Sequence, residues 1–312
     1  MSVLCACRSE VPGAIVPGTV PPDARGRART HRLTDVTLHT VEVGQDRGPV
    51  RLVVHGGPGL DHTYLRPWLD PLGQRARLVY VDLRGHGRSS APADANGYTL
   101  RAAAADLAAL IHTLGDGRPA DVIAHAFGAT VVLELAVQYP ERVRRLVLID
   151  PMRDAGQLRT MPERTRAALG SSGWERIVAM STPQGTLRDP RDVVELFRRL
   201  GKMWWERPPG EAVLARMGRD MLYRPEADEH FLVALAGWDG RALAAEVRAP
   251  TLVVSGSGDR TFRPEESRAL AEILPHGRYA EIPDAGHCPF IEQPARFHAI
   301  VDGFLHDPRP RE

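Results

Sequence analysis

The chain has 312 residues, 43% apolar, 25% charged and 6% aromatic, enough to bury a large core in one domain or a domain with an insert. Such a composition excludes a disordered or collagen-like polymer. Forty Lys and Arg against thirty-nine Asp and Glu leave a formal charge of +1, too balanced for the broad cationic surface that phosphate backbones demand, so nucleic acid is not an expected partner.

From the N-terminus, MSVLCAC is interrupted by Arg8 and Glu10 before the roughly seven apolar residues of a secretion signal can accumulate. No later stretch supplies the ~18 uninterrupted apolar residues of a membrane span. Cys5, Cys7 and Cys288 are an odd number without the spacing of a zinc site or the density of a disulfide scaffold. A reducing, cytoplasmic setting and no membrane partner are therefore expected. Residues 11–30 carry Pro12, Pro17, Pro21 and Pro22 among three arginines, which suits neither a ladder nor a helix, and residues 1–30 read as a lead-in arm.

His31 to Val43 alternates polar with β-branched residues, as a half-buried strand does. VRLVVHG, RLVYVDLRG, DVIAHAFG, RRLVLID and PTLVVSG follow, each nearly all apolar, the pattern of strands covered on both faces. Between them Tyr98 to Leu114 sets Leu100, Ala104, Leu107, Leu110 and Ile111 on one helical face, and Ala129 to Tyr139 reads as a second helix. Strands alternating with helices predict a mostly parallel sheet with helices on both faces, an α/β class. Over 152–237 this rhythm gives way to short amphipathic segments divided by Gly170, Pro183, Pro190, Pro208, Pro209 and Pro225. That region reads as an inserted helical cap. Its Trp174, Trp204, Trp205, Met203, Met217, Met221 and Tyr223 either glue the cap helices together or roof a substrate.

Three strand ends carry unusual residues. His55-Gly56-Gly57-Pro58-Gly59 frees backbone N–H groups to face a developing oxyanion, although a plain tight turn would use the same residues. Ala124-His125-Ala126-Phe127-Gly128-Ala129 joins a strand to a helix where a nucleophile elbow would lift a hydroxyl, yet Ala126 stands in the serine position. An ordinary strand-to-helix turn is the other reading of that hexapeptide. Finally, Gly256-Ser257-Gly258-Asp259 and Asp284-Ala285-Gly286-His287 follow two further strands, and a carboxylate there can orient an imidazole at the next strand end.

With HGGPG, DLRGHGRSS, the elbow, YPERVRRLVLID, the G-x-x-D turn and AGH in this order, residues 31–306 resemble an α/β-hydrolase of the proline iminopeptidase-like family. The resemblance implies an α/β-hydrolase core over 31–151 and 238–312 with the cap at 152–237. It also implies an oxyanion hole from the Gly57 and Phe127 N–H groups, Asp259 as the orienting acid, His287 as the base and position 126 as the nucleophile. DLRGHGRSS looks like a structural turn, so Ser89 and Ser90 are not expected to replace that nucleophile. Trp205-Glu206 is similar to a Trp-Glu element of the family's caps, implying that Glu206 meets a substrate ammonium group. Arg260, next to Asp259, would instead favour a carboxylate or carbonyl. Trp204 and Trp205 complete the expected substrate-binding set.

Three functions remain open at this point. The first is a hydrolase of small amides, esters or lactones whose nucleophile is replaced by alanine. The second is a serine-free lyase, isomerase, cyclase or direct hydrolase driven by the Asp259–His287 base. The third is a non-catalytic binder of a small ligand. No cofactor or metal is expected, since no G-x-G-x-x-G opens a helix after a strand, no G-x-x-x-x-G-K appears, and the histidines lack ligand spacing. Cys288 is expected to pack rather than react, and the oligomeric state is not readable.

Overall fold

The apolar runs become the inner strands of one eight-stranded sheet: β1 (Arg27–Arg32), β2 (Thr37–Gly44), β3 (Val50–Val54), β4 (Arg77–Val81), β5 (Ala120–His125), β6 (Val143–Ile149), β7 (Thr251–Gly256) and β8 (Gly277–Ile282). Their order is β1-β2-β4-β3-β5-β6-β7-β8, with β2 antiparallel to both of its neighbours and all other pairs parallel. This computed structural model describes residues 18–181 and 190–308; Cys5, Cys7, Pro12, Pro17 and Pro183 lie outside the described residues. The connecting helices are α1 (Leu100–Leu114), α2 (Phe127–Gln138), α3 (Gly156–Ser181), α4 (Pro190–Leu200), α5 (Glu211–Gly218), α6 (Pro225–Leu235), α7 (Gly240–Ala244), α8 (Pro264–Ile273), α9 (Pro289–Glu292) and α10 (Pro294–Leu305). At Gly170 a φ of 73° breaks α3 in two. Among the described residues no helix is long and apolar enough to cross a membrane.

Strand geometry explains why the inner runs are apolar on both faces along most of their length. Side chains alternate between faces, so Leu52, Val54, Val122, Leu146 and Leu148 enter one core with Leu107 of α1 and Val131 of α2. Val53, Ile123, Val147 and Ile149 enter the opposite core with Trp68 and with Phe297 and Val301 of α10. Burying each such aliphatic side chain stabilises the fold by about 1.5–3 kcal/mol.

The first strand region departs from expectation. His31 to Val43 is a hairpin rather than one strand, closed by a 2.8 Å bond from the Leu33 N–H to the Val36 carbonyl, and β1 draws Arg27 to Thr30 out of the expected arm. Edge position makes this possible: Arg27 and Arg29 reach across to Glu42 at 3.9 and 3.1 Å while their outer sides stay solvated. Helix starts also differ, by two residues each. Thr99 accepts the Ala102 N–H and so caps α1 at Leu100, and α2 opens at Phe127 because the chain reverses in a single residue.

Helices α3 to α6 occupy the region where the strand rhythm stops. There Met203, Trp205, Met217 and Met221 are buried with Val213 and Leu214, so these side chains bind helices to one another. The DLRGHGRSS turn is pinned from below by Arg84, whose Nε and Nη2 each donate to Asp106 of α1 at 2.7 Å. Both partners are almost fully buried. Arg84→Met is expected to leave an unpaired buried carboxylate and lower stability by about 3–5 kcal/mol, read as a reduced urea midpoint with the slope unchanged.

Candidate active site

Only Ala126 separates the end of β5 from the start of α2, and it makes the reversal with φ 49° and ψ −116°. An L residue held there costs about 1–3 kcal/mol, so the surroundings must impose it. They do so by close approach. A Cβ on Gly128 would stand 2.5 Å from the His55 carbonyl oxygen, and one on Gly56 3.2 Å from the Ala126 methyl. The Ala126 N–H is held by the Ile149 carbonyl at 2.9 Å. The His55-Gly56-Gly57 turn therefore lies directly beside the elbow. Gly57 has φ 123°, open to glycine, and Phe127, as the first residue of α2, has no intrahelical acceptor for its N–H. Burial pushes the His55 imidazole toward its neutral form; its Nδ1–H donates to the Gly56 carbonyl at 2.7 Å and its Nε2 accepts the Leu83 N–H at 3.2 Å, which locks the turn.

Asp259 and His287 meet as their order implied. The His287 Nδ1–H donates to Asp259 Oδ2 at 2.8 Å, and Asp259 Oδ1 accepts the Thr261 and Phe262 N–H groups at 2.7 and 3.2 Å. Both residues are buried, at 1% exposure for His287 and 2% for Asp259. With Nδ1 turned to Asp259, Nε2 is the ring nitrogen left to act as a base. The His287 ring lies 4.7 Å from that of His125, the residue before Ala126, and 4.8 Å from Trp204. A hydrogen-bonded chain joins the turn to this loop: Gly56 N–H donates to the Tyr64 hydroxyl at 2.7 Å, which donates to His125 Nδ1 at 2.6 Å, and His125 Nε2–H donates to the His287 carbonyl at 2.8 Å. Burial and the neighbouring His287 hold His125 well below the usual histidine range, so it is neutral.

An elbow on the strand-to-helix turn, an acid after β7 and an imidazole after β8 sit on a sheet of this order, and residues 49–294 match the family described as alpha/beta hydrolase fold. The chain belongs to that family. It is similar to a pimeloyl-[acyl-carrier protein] methyl ester esterase of Aromatoleum aromaticum, 32% identical over 81% of this chain and 97% of the esterase. It is also similar to a putative carbamate hydrolase RutD of Yersinia enterocolitica, 28% identical over 81% and 86%. Among solved structures, a proline iminopeptidase-related protein from Thermus thermophilus superposes with TM-score 0.70 at 26% identity, over 90% of this chain and 97% of that one.

The remaining candidate residues of this hydrolase-fold site divide clearly. Trp204 is partly exposed beside His287 and accepts the His287 backbone N–H at 2.6 Å, whereas Trp205 is fully buried with its indole N–H on the Phe197 carbonyl. Glu206 and Arg260, expected to offer a free charge to substrate, instead face each other at 3.6 Å with 37% and 44% of their side chains exposed. Both side chains stay partly exposed, so this is a surface ion pair of modest strength. Ser89 and Ser90 hydroxyls accept the His39 and Thr37 N–H groups of the β2 region at 2.9 Å, so both are turn fasteners. Cys288 is buried and its thiol is pushed well above its ordinary range by burial and nearby carboxylates, which makes it inert.

Sequence reasoning missed Tyr64, Asp150 and Glu292, and gave His125 no role of its own. The Glu292 carboxylate accepts N–H groups from Gly286, Glu206 and Arg207, the last two at 2.9 and 3.0 Å, and so ties the His287 loop to the helical insertion. Burial pushes its pKa from 4.5 up to about 6. A carboxyl whose pKa is raised on folding contributes stability below the unfolded value and loses it as pH rises through the folded one. Stability from Glu292 should therefore grow as pH falls from about 7.5 to about 5, by at most about 2 kcal/mol. Glu292→Gln is expected to remove that part of the change in thermal midpoint between the two pH values.

His125, Asp150 and His287 bring one potential ligand atom each within 4.8 Å. Both nitrogens of His125 are already engaged, by the Tyr64 hydroxyl and the His287 carbonyl, so this trio is not disposed to hold a metal.

Proposed function

We propose that the chain binds a small carbonyl compound, an ester, amide or lactone, and carries the acyl-transfer apparatus of a hydrolase with the nucleophilic hydroxyl absent. The observation that carries this reading is the strained elbow at Ala126, next in the chain to His125, whose ring lies 4.7 Å from that of the Asp259-paired His287. That backbone conformation costs free energy in every folded molecule. In this reading the carbonyl carbon lies above Ala126, the Gly57 and Phe127 N–H groups receive its oxygen, and residues 152–237 cover it as a cap. His287, oriented by Asp259, takes the proton of the attacking group.

The substrate class follows the ester- and carbamate-directed relatives rather than aminopeptidases. Arg260, 3.6 Å from the Glu206 carboxylate, would oppose an ammonium group brought to it. A second reading is favoured by Ala126 itself: a base that persists without a nucleophile can act on water or on a substrate C–H directly, as in a lyase, isomerase or cyclase.

An organophosphonate ester that phosphonylates activated serines tests the first reading. Ala126→Ser is expected to be labelled stoichiometrically by mass spectrometry, the unmodified chain not at all, and Ala126→Ser with His287→Ala only marginally. A folded Ala126→Ser chain that resists the reagent would remove the basis for an acyl-transfer site.

A further inference from the structure

Asp150 ends its strand one residue past β6, at φ 45°, and is fully buried. Its Oδ1 accepts the Gly256 N–H at 3.0 Å, but Oδ2, equally enclosed, has no hydrogen-bond partner when the carboxyl is written as an ion. One of its oxygens lies within 4.8 Å of a ring nitrogen of His287 and of one of His125. Asp259 is its other neighbour, with three of its four lone-pair sites taken by His287, Thr261 and Phe262. Two neighbouring carboxylates in one dry pocket repel each other, and ionisation of both is strongly disfavoured there. A proton on Oδ2 resolves both problems, since it gives the orphaned oxygen a hydrogen to donate and Asp259 a fourth donor.

We infer that Asp150 is held as a neutral carboxylic acid whose Oδ2–H donates to Asp259, making it a positioning residue behind the acid–imidazole pair. The groups that face it are Asp259 after β7, His125 at the end of β5, and His287, Cys288 and Glu292 around α9. Burial and the charge of Asp259 push the Asp150 carboxyl well above its ordinary range, in agreement with this geometry. The consequence is chemical: the pair carries one negative charge rather than two, and Asp259 cannot rotate away from Nδ1 without breaking the bond from Asp150. The inference rests on Asp259 and His287 acting together as proposed, but its readouts need no turnover, so it can fail while the hydrolase reading stands, and the reverse.

Infrared spectra of the intact chain and of Asp150→Asn, together with the imidazole titration of His287 followed by NMR, form the test. The intact chain should show a protonated-carboxyl C=O stretch at neutral pH that Asp150→Asn lacks. Because the amide is also neutral and also donates, the His287 midpoint should move by less than about half a pH unit. A fall of about one pH unit or more in that midpoint, or an unchanged infrared band, would overturn the proposal. Asp259→Asn supplies an independent arm should Asp150→Asn fail to fold. With the neighbouring charge gone, the band should disappear at a pH at least about one unit lower, and a band insensitive to Asp259→Asn would equally refute the assignment.

Discussion

Ala126→Ser is expected to raise ester hydrolysis by at least ~10³-fold and up to on the order of 10⁶-fold in kcat, the range by which removing a nucleophile disables comparable serine enzymes. Local structure is already prepared for the hydroxyl. Residue 126 holds φ 49° without serine, the Gly56 turn abuts it, and the Asp259–His287 bond is 2.8 Å. Serine adds a single oxygen to a methyl that is 4% exposed, so the substitution changes one buried atom and leaves the backbone as it is. A panel of activated short-chain esters, aminoacyl amides and lactones would report kcat/KM for both chains. The gain should fall mainly in kcat, because the new oxygen acts in the transition state while the pocket binds both chains' substrates alike. Ala126→Gly is the companion control: it relieves the positive φ and should stabilise the chain by a few tenths to about 1 kcal/mol without conferring turnover. If serine brings no rate on any member of the panel, the carbonyl does not sit above residue 126.

How much of this was legible beforehand follows from the range of the forces involved. The inner strands could be read because burial on both faces leaves a largely apolar run, as in Leu52–Val54 and Leu146–Ile149. The β1–β2 hairpin could not, because alternation in His31 to Val43 marks a strand face but not the Leu33–Val36 reversal within it. Asp259, His287 and the Gly56 turn announced themselves by placing rare residue types at strand ends. Tyr64 and Glu292 gave no such sign, since each also binds residues far off in the chain: Tyr64 reaches His125, 61 positions away, and Glu292 reaches Glu206, 86 away. Glu206 and Arg260 show the opposite failure. Their charges are plain in the sequence, but their pairing exists only after folding.

His287→Ala and Asp259→Asn, made in both the serine form and the unmodified chain, should separate the chemical readings by the largest remaining effects. In the serine form His287→Ala is expected to remove essentially the whole gain, because a hydroxyl without its base is no better than the methyl it replaced. Asp259→Asn should remove about 10⁴-fold, since an amide at 2.8 Å from Nδ1 presents a donor to a donor and favours the tautomer with its proton on Nε2. In the unmodified chain the same two substitutions ask a different question. Turnover above the uncatalysed rate that vanishes with His287→Ala means that the imidazole works directly on water or on a C–H bond, and the serine-free reading then stands in its own right. No turnover, with ligand binding untouched by either substitution, leaves a carbonyl-binding pocket whose base is idle. The two backgrounds must therefore be run together, because loss in the serine form establishes only that His287 serves a hydroxyl placed at residue 126. What the protein does with a methyl there is decided by the chain without serine.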